Sequence, residues 1–379
     1  VSRTIRVLAI ALPVLLAAHA AAAYPQYQLS RDQTCAGCHL SPAGGGLLSE
    51  NGRGVAETSS QWGTAPEFLY GKVSTPDWLT LGGDLRGAAG LDAAPFHRWV
   101  RFPMQAELYA NATVAAFSLY VNAGLRDPQL DTNFDPPKLI ASTLFATREH
   151  WLQWQQRPGE ATGLFVRAGR FMPVFGLRFA EHVDYTRRYG GTPLYGEAYG
   201  VAVEDVEPGW EVHATAFIHD PLRKDSVERG TGAALYAEAR LDPITAVGVE
   251  AKVDVTADDR HLHGGLTAKR YLAGPGILLQ AEVQLIQQKV YAGGYNHQAI
   301  AYLMGSYFLG DAVMIDVGLS AYEPDTAVRY LDREALDVNA HFFATSHLEL
   351  ILTNRFEMLE LGEGGKSSGY SLVQLHYRL

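Results

Sequence analysis

Asp32 to Gly46 reads DQTCAGCHLSPAGGG and holds both cysteines of the 379-residue chain. Two thiols three residues apart, with a histidine directly after, allow few chemistries: a local disulfide, half of a zinc site, a redox dithiol, or covalent attachment of a c-type haem. The first three leave His39 without a role, and zinc would need two further ligands close by. C-x-x-C-H is the spacing of haem attachment, in which the thiols of Cys35 and Cys38 form thioethers to the porphyrin and His39 becomes the proximal iron ligand. The motif therefore predicts one covalent haem c on Cys35, Cys38 and His39.

A second axial ligand has to come from further along. Between Tyr24 and Pro76 there is no methionine and no histidine besides His39. Met172, His182 and Met314 are the candidates for the distal side. Met172 and His182 belong to GRFMPVFGLRFAEHVDYTRRYGGTPLYG (169–196), which also concentrates Arg170, Arg178, Arg187 and Arg188 among aromatic residues. The plain expectation for this stretch is a surface loop with part of a strand. The alternative is a segment folded inward, where arginines meet haem propionates. Strand parity turns His213, His261, His263, His341, His347, His376 and Met314 to one face, and Met104 and Met358 to the other.

These groups need elements to position them. The chain opens VSRTIRVLAIALPVLLAAHAAAAY, with Arg3 and Arg6 ahead of an apolar run and Ala21-x-Ala23 before Tyr24. That is the layout of a signal peptide over 1–23, so the mature chain is expected to be exported, and two cysteines are too few for a disulfide scaffold. Residues 24–76 are rich in Gly, Pro and Ser and can bury little core of their own. A haem segment of this size must lean on the remainder of the chain.

That remainder, from 77 to 379, alternates with period 2. In ILLQAEVQLIQQ, Ile277, Leu279, Ala281, Val283 and Leu285 fall on one face, and Gln280, Glu282, Gln284 and Gln288 on the other. Segments around Val249, Ala237, Val338 and Leu350 repeat the pattern. They run to about ten residues or slightly more, the length of a tilted transmembrane strand, and carry full charges on the polar face. Short turns join them, and no long helical pattern intervenes. The expected fold is all-β: a transmembrane antiparallel β-barrel of about sixteen strands with a wet lumen, and a small N-terminal c-type haem-binding plug. Starts are expected near Trp78, Trp99, Ala115, Phe145, Leu164, Ala198, Trp210, Gly232, Ile244, Leu262, Ile277, Gln298, Ala312, Ala335, Leu348 and Tyr370. Around His150 and Gln298 neither parity sorts the side chains. The final YSLVQLHYRL is amphipathic, and a net charge of −10 with 11% aromatic residues suits a barrel with aromatic girdles.

The layout resembles the fused monohaem cytochrome–porins of the bacterial outer membrane. The local likeness rests on Pro25 and Tyr27, CAGCH itself, Pro42, and NGRG with Arg53. A triple glycine, Gly44 to Gly46, and LLSENGRG stand where that family has a compact aromatic segment. The resemblance implies haem on Cys35, Cys38 and His39, and a link to iron oxidation and extracellular electron transfer.

The expected function is electron transfer between an extracellular donor or acceptor, such as Fe(II), and a periplasmic c-type cytochrome or other carrier, with outer-membrane lipid around the barrel. Two alternatives are a diffusion porin with a structural haem plug and a peroxidase-like haem enzyme with an open distal site. Acidic residues at 127, 131, 135, 181 and 184 offer attraction for a metal cation. No phosphate-cradling loop lies between a strand and a helix, and no nucleic-acid partner is expected.

Overall fold

The computed structural model describes residues 26–94, 97–125, 130–131, 138–139, 145–181, 183–193, 196–218, 230–328, 331–359 and 365–379. The expected signal peptide, most of 126–143 and the candidate His182 lie outside them. Alternating side chains resolve into β1 (Leu79–Ala94), β2 (Arg98–Val114), β3 (Phe117–Leu125), β4 (His150–Gln155), β5 (Gly163–Phe171), β6 (Ala198–Glu207), β7 (Trp210–Ile218) and β8 (Thr231–Asp242). They continue as β9 (Thr245–Val255), β10 (Asp259–Leu272), β11 (Ile277–Val290), β12 (Tyr295–Leu309), β13 (Val313–Glu323), β14 (Arg333–Thr345), β15 (Leu348–Leu359) and β16 (Lys366–Arg378). Each pairs antiparallel with the next, and β16 pairs back onto β1 from Asp84↔Arg378 upward. Phe145–Ala146 pairs with β3 beside β4, so the barrel has sixteen strand positions. Closure satisfies the backbone groups that an open sheet would expose to lipid.

Faces follow the expected parity. On β11, Leu279, Val283 and Leu285 are exposed on the outer wall, while Gln280, Glu282 and Gln284 are buried inside. The outer belt continues through Leu266, Val249, Leu319, Leu352 and Val373. So much exposed apolar surface is stable only against hydrocarbon. Exposed aromatics rim both ends: Phe117 and Trp210 beside short turns, Trp99, Tyr291 and Tyr295 beside the opposite loops.

The turns 115–116, 208–209, 243–244 and 346–347 are two residues each and share one end. The other end carries the long connection between β5 and β6. Short turns mark the periplasmic end of outer-membrane barrels.

The lumen departs from the expected wet interior. Two pieces of the chain enter it from opposite mouths and fill it. From the short-turn end comes the N-terminal segment, with α1 (Tyr27–Ser30), α2 (Cys35–Cys38) and α3 (Glu50–Thr58). Its trailing part is tied to the rim by Gln61 N to Phe343 O (2.9 Å) and Trp62 N to Ala344 O (3.1 Å). From the long-loop end comes the stretch after β5, with α4 (Tyr185–Arg188). Val174, Phe175, Leu177, Phe179 and Tyr185 on this stretch are all at most 2% exposed, so it is an inward-folded segment and not the surface loop that was the plain expectation.

That insertion explains the strands whose parity was blurred. On β12, Ile300, Tyr302, Met304 and Phe308 point inward, where Tyr302 and Met304 pack on Leu177 and Phe179, and Ile300 packs with Tyr185. On β4, Trp151 points inward and stacks on Tyr120 with ring centroids 4.8 Å apart. Apolar residues occur on both faces wherever the lumen is packed. The inward charges are neutralised in pairs instead of by solvent: Arg167–Glu204 (2.9 Å), Lys269–Glu238 (2.7 Å) and Arg355–Asp337 (2.7 Å) are all deeply buried.

Candidate functional site

The Cys35–Cys38 turn is built by its neighbours in sequence. Thr34 caps it, its Oγ1 accepting from Gly37 N at 3.1 Å. One helical turn puts positions i and i+3 on the same side, so both thiols sit on one face with His39 directly after. The triple glycine then reverses the chain: Gly44, Gly45 and Gly46 have φ of 84°, 75° and 61°, a region closed to most side chains. The reversal returns Leu47 to Leu40, whose N–H donates to Leu47 O at 3.0 Å. A Cβ on Gly44 would lie 3.6 Å from Cys35 Sγ and 4.0 Å from the His39 ring, so this glycine leaves the face of the motif open.

Helix α3 clamps the turn from the other side. Ser49 caps α3 by accepting from Gly52 N (3.0 Å) and donates to Gly37 O (2.8 Å). Asn51 Nδ2 donates to the same carbonyl at 3.0 Å. A Cβ on Gly52 would come within 2.0 Å of Cys38 O, so only glycine allows the approach. NGRG is thus a close-packing motif against the cysteine turn.

Cys35, Cys38 and His39 line a cavity of about 380 Å³ inside the barrel, within the range of cofactor sites. Its walls come from both insertions and from the barrel. Met172, Pro173, Val174, Leu177 and Arg178 belong to the inward-folded segment; Asp84, Arg86, Tyr109, Arg167 and Arg378 come from strands, and Arg148 and Glu149 directly precede β4. Arg178 Nη1 donates to Ala43 O at 2.7 Å and Nη2 to Glu211 Oε1 at 3.0 Å. Arg167 Nη1 donates to Ser41 Oγ at 2.9 Å. Cations of the wall therefore already hold the haem-motif segment in place.

The donor set fits a covalently held haem. Both thiols are free of disulfide. Burial pushes the Cys38 thiol up to about 11, with Cys35 adding to the shift, and burial also raises Cys35 against the pull of Arg178. Burial, with Arg378 adding to the shift, lowers His39 to about 4, so the imidazole is neutral at physiological pH, the form that ligates iron. His39 Nδ1 is buried with no hydrogen-bond partner among the described residues, a polar atom left for another group to satisfy. The arginines supply countercharge for two propionates.

The candidates for the distal side separate clearly. Met172 lines the cavity with His39. Met314 does not: it is fully buried in a cluster with Tyr27, Leu29 and Phe308, part of the packing that seats α1. His182 lies outside the described residues. Among the histidines expected on the lumen face, only His347 reaches the cavity, and carbonyls engage both its nitrogens, Arg378 O on Nδ1 and Ala65 O on Nε2, each at 2.7 Å. Arg148, Arg167, Glu197 and Asp84 were not singled out in the sequence. For Arg167 and Asp84 the available signal was an ionic side chain on a buried strand face, which many lumen positions share; Arg148 and Glu197 lie just ahead of their strands, where no alternation marks them.

No protein-family model matches the chain, and no curated protein matches it in sequence. Solved structures do match in fold. Outer-membrane-expressed OmpT of Vibrio cholerae is 15% identical over 81% of this chain and 100% of its own, with a TM-score of 0.58. Pseudomonas putida OprB is 11% identical over 79% and 94% (TM-score 0.59). An anion-selective porin from Comamonas acidovorans is 12% identical over 79% and 99% (TM-score 0.58). At such identities the likeness is one of fold: this chain forms the closed sixteen-strand barrel of outer-membrane porins, with a lumen occupied by its own N-terminal segment and inserted loop.

Proposed function

We propose that the protein is a bacterial outer-membrane barrel that carries one covalent haem c in its lumen and passes electrons between an extracellular donor or acceptor and a periplasmic carrier. The observation that carries this reading is the shared cavity: the C-x-x-C-H residues and Met172, which are separated by more than a hundred residues of chain, line the same space inside an insulating wall. Bound haem supplies reversible one-electron chemistry. Cys35 and Cys38 would anchor it, His39 would offer a neutral imidazole to the iron, and Met172, which lines the same cavity, would offer a thioether. Arg148, Arg178 and Arg378 line the same space and would bring positive charge to the haem carboxylates, and Leu47, Val174 and Phe179 would supply apolar wall. The segment enters at the short-turn end, which favours a periplasmic partner such as a c-type cytochrome on that side. Fe(II) is the external donor suggested by the resemblance to cytochrome–porins.

The test is an absorption spectrum of the detergent-extracted protein, oxidised and reduced, from a host able to attach haem c. A reduced c-type α-band that survives denaturation supports the reading, and its absence removes it. A low-spin native ferric spectrum supports electron transfer; a high-spin one points to an open-site haem enzyme.

Fold likeness to porins, one of them an anion-selective porin, favours a second reading: a diffusion porin in which the N-terminal segment is a structural plug. Sustained ion conductance of the holoprotein in planar bilayers would support it. The packed lumen favours a closed one.

A further inference from the structure

Five titratable side chains form a continuous line around the inner wall near the short-turn end. His376 Nε2 lies 2.7 Å from Asp84 Oδ1, and its Nδ1 lies 2.9 Å from Glu349 Oε2. The other oxygen of Glu349, Oε1, lies 2.9 Å from His341 Nδ1, and His341 Nε2 lies 3.3 Å from Asp316 Oδ2. The five occupy five neighbouring strands, β1, β16, β15, β14 and β13, and cross the seam where the barrel closes. His376, Glu349, His341 and Asp316 are each at most 4% exposed. Of the five, Asp84 alone lines the cavity of Cys35 and His39.

Here each imidazole presents both ring nitrogens to carboxylates, and Glu349 joins two imidazoles through its two oxygens. Along the hydrogen-bonded part, His341–Glu349–His376–Asp84, each group can accept a proton on one side and release one on the other, and the ion-pair contact of His341 Nε2 with Asp316 extends the line. Ionisable chains inside membrane proteins are often proton relays. We infer that the line Asp316–His341–Glu349–His376–Asp84 conducts protons between the lumen and the cavity, so that electron uptake at the site is matched by proton uptake. The inference rests on the electron-transfer reading above.

The step balances. A one-electron carrier delivers one electron to the site, adding one negative charge to a buried space. A proton from water, taken up through the partly exposed Glu181 of the inserted segment, reaches buried Asp316, whose carboxyl then donates to His341 Nε2. His341 passes the proton on its Nδ1 to Glu349, and Glu349 passes one to His376 Nδ1. His376 releases its Nε2 proton to Asp84, leaving the cavity with no net change of charge. Reoxidation runs the sequence backwards.

The surroundings keep this line distinct. Tyr109 Oη donates to Asp84 Oδ2 at 2.6 Å, and Arg86 and Arg378 bring positive charge to Asp84. Gln26 Nε2 donates to Asp316 Oδ2 at 3.4 Å, and Glu181 of the inserted segment lies within electrostatic reach of His341 and Asp316. Phe343 stacks beside His341 with ring centroids 6.2 Å apart. Burial raises the Glu181 carboxyl, His341 opposes the shift and Asp316 adds to it.

The experiment is a redox titration of the purified holoprotein, read from haem absorption at several values between about pH 5 and 8, where imidazoles titrate. The wild type is expected to show a midpoint potential that falls with pH at close to one proton per electron. Glu349→Gln and, separately, His341→Gln should flatten that slope, while His261→Gln, at the long-loop end, should keep it. Heat-dependent gel mobility verifies that each barrel is folded. Infrared difference spectra on reduction should show a carboxyl band in the wild type that is lost in Glu349→Gln. A flat wild-type potential overturns the relay without recourse to any variant, as does an unchanged slope in both folded relay variants. Absence of covalent haem overturns the electron-transfer reading as well, so the two failures are told apart.

Discussion

Arg178 donates to the carbonyl of Ala43 at 2.7 Å, across 135 residues of chain. One partner entered the barrel from the long-loop mouth and the other from the short-turn mouth, and their contact closes the wall of the cavity. With Nη2 on Glu211, the guanidinium joins inserted segment, haem-motif segment and strand β7. Arg178→Ala deletes a charged hydrogen bond of about 1.5–3 kcal/mol and strands a buried carboxylate. The N-terminal segment should then be released more often, seen as faster proteolysis after Gly44 with an intact barrel band.

Cys35→Ala with Cys38→Ala should abolish the covalent haem signal while the barrel still folds. Met172→Ala should keep covalent attachment but convert a low-spin ferric spectrum to high-spin. Met314→Ala is the contrasting variant: truncating this buried side chain costs about 2–5 kcal/mol of stability and should leave the visible spectrum unchanged. Identical spectra for Met172→Ala and wild type would remove Met172 from the axial role.

Gly52→Ala places a Cβ where Cys38 O now sits, 2.0 Å from the ideal position. Overpacking of this kind costs about 1–3 kcal/mol. Helix α3 should move off the cysteine turn and the yield of covalent haem should fall, measured as haem absorbance per folded barrel. Gly54→Ala, with nothing within 4 Å of its Cβ position, should keep the yield.

The inserted segment should respond to pH through Asp184. Burial, then Glu181 and Asp337, holds this carboxyl well above its usual range, while Arg355 opposes the shift. A raised acid binds its proton more tightly in the folded state than in the unfolded one. Its contribution is therefore complete below the ordinary carboxylate pKa of about 3.9 and is lost as pH rises through the raised folded value. Hydrogen exchange over 183–193 should be slowest at acidic pH after correction for intrinsic rates and should quicken as pH rises. Asp184→Asn should flatten that profile; an unchanged profile would assign the pH response to another group.

The sequence alone determined the barrel. Alternation with period 2 is a local property, because successive side chains of a strand point to opposite faces whatever lies beyond them. Ile277 to Leu285 could therefore be assigned to their face before any partner strand was known, and the expected strand starts fall within about five residues of those observed. The spacing of Cys35, Cys38 and His39 is local in the same way, and one helical turn carries both thiols.

Only the tertiary structure decided what lies opposite them. The stretch after β5 could have lain on the surface, and its arginines and aromatics fit either course. Its inward path depends on apolar contacts with Tyr302, Met304 and Ile300, which sit on a strand whose mixed faces made sense only once the lumen was seen to be packed. Met172 and Met314 both satisfied the sequence criterion of an inward methionine. The path of one loop brought Met172 to the cavity, and the packing of α1 enclosed Met314. Likewise Asp84 and His376 meet only because the first strand pairs with the last, a contact spanning 292 residues that no local pattern encodes.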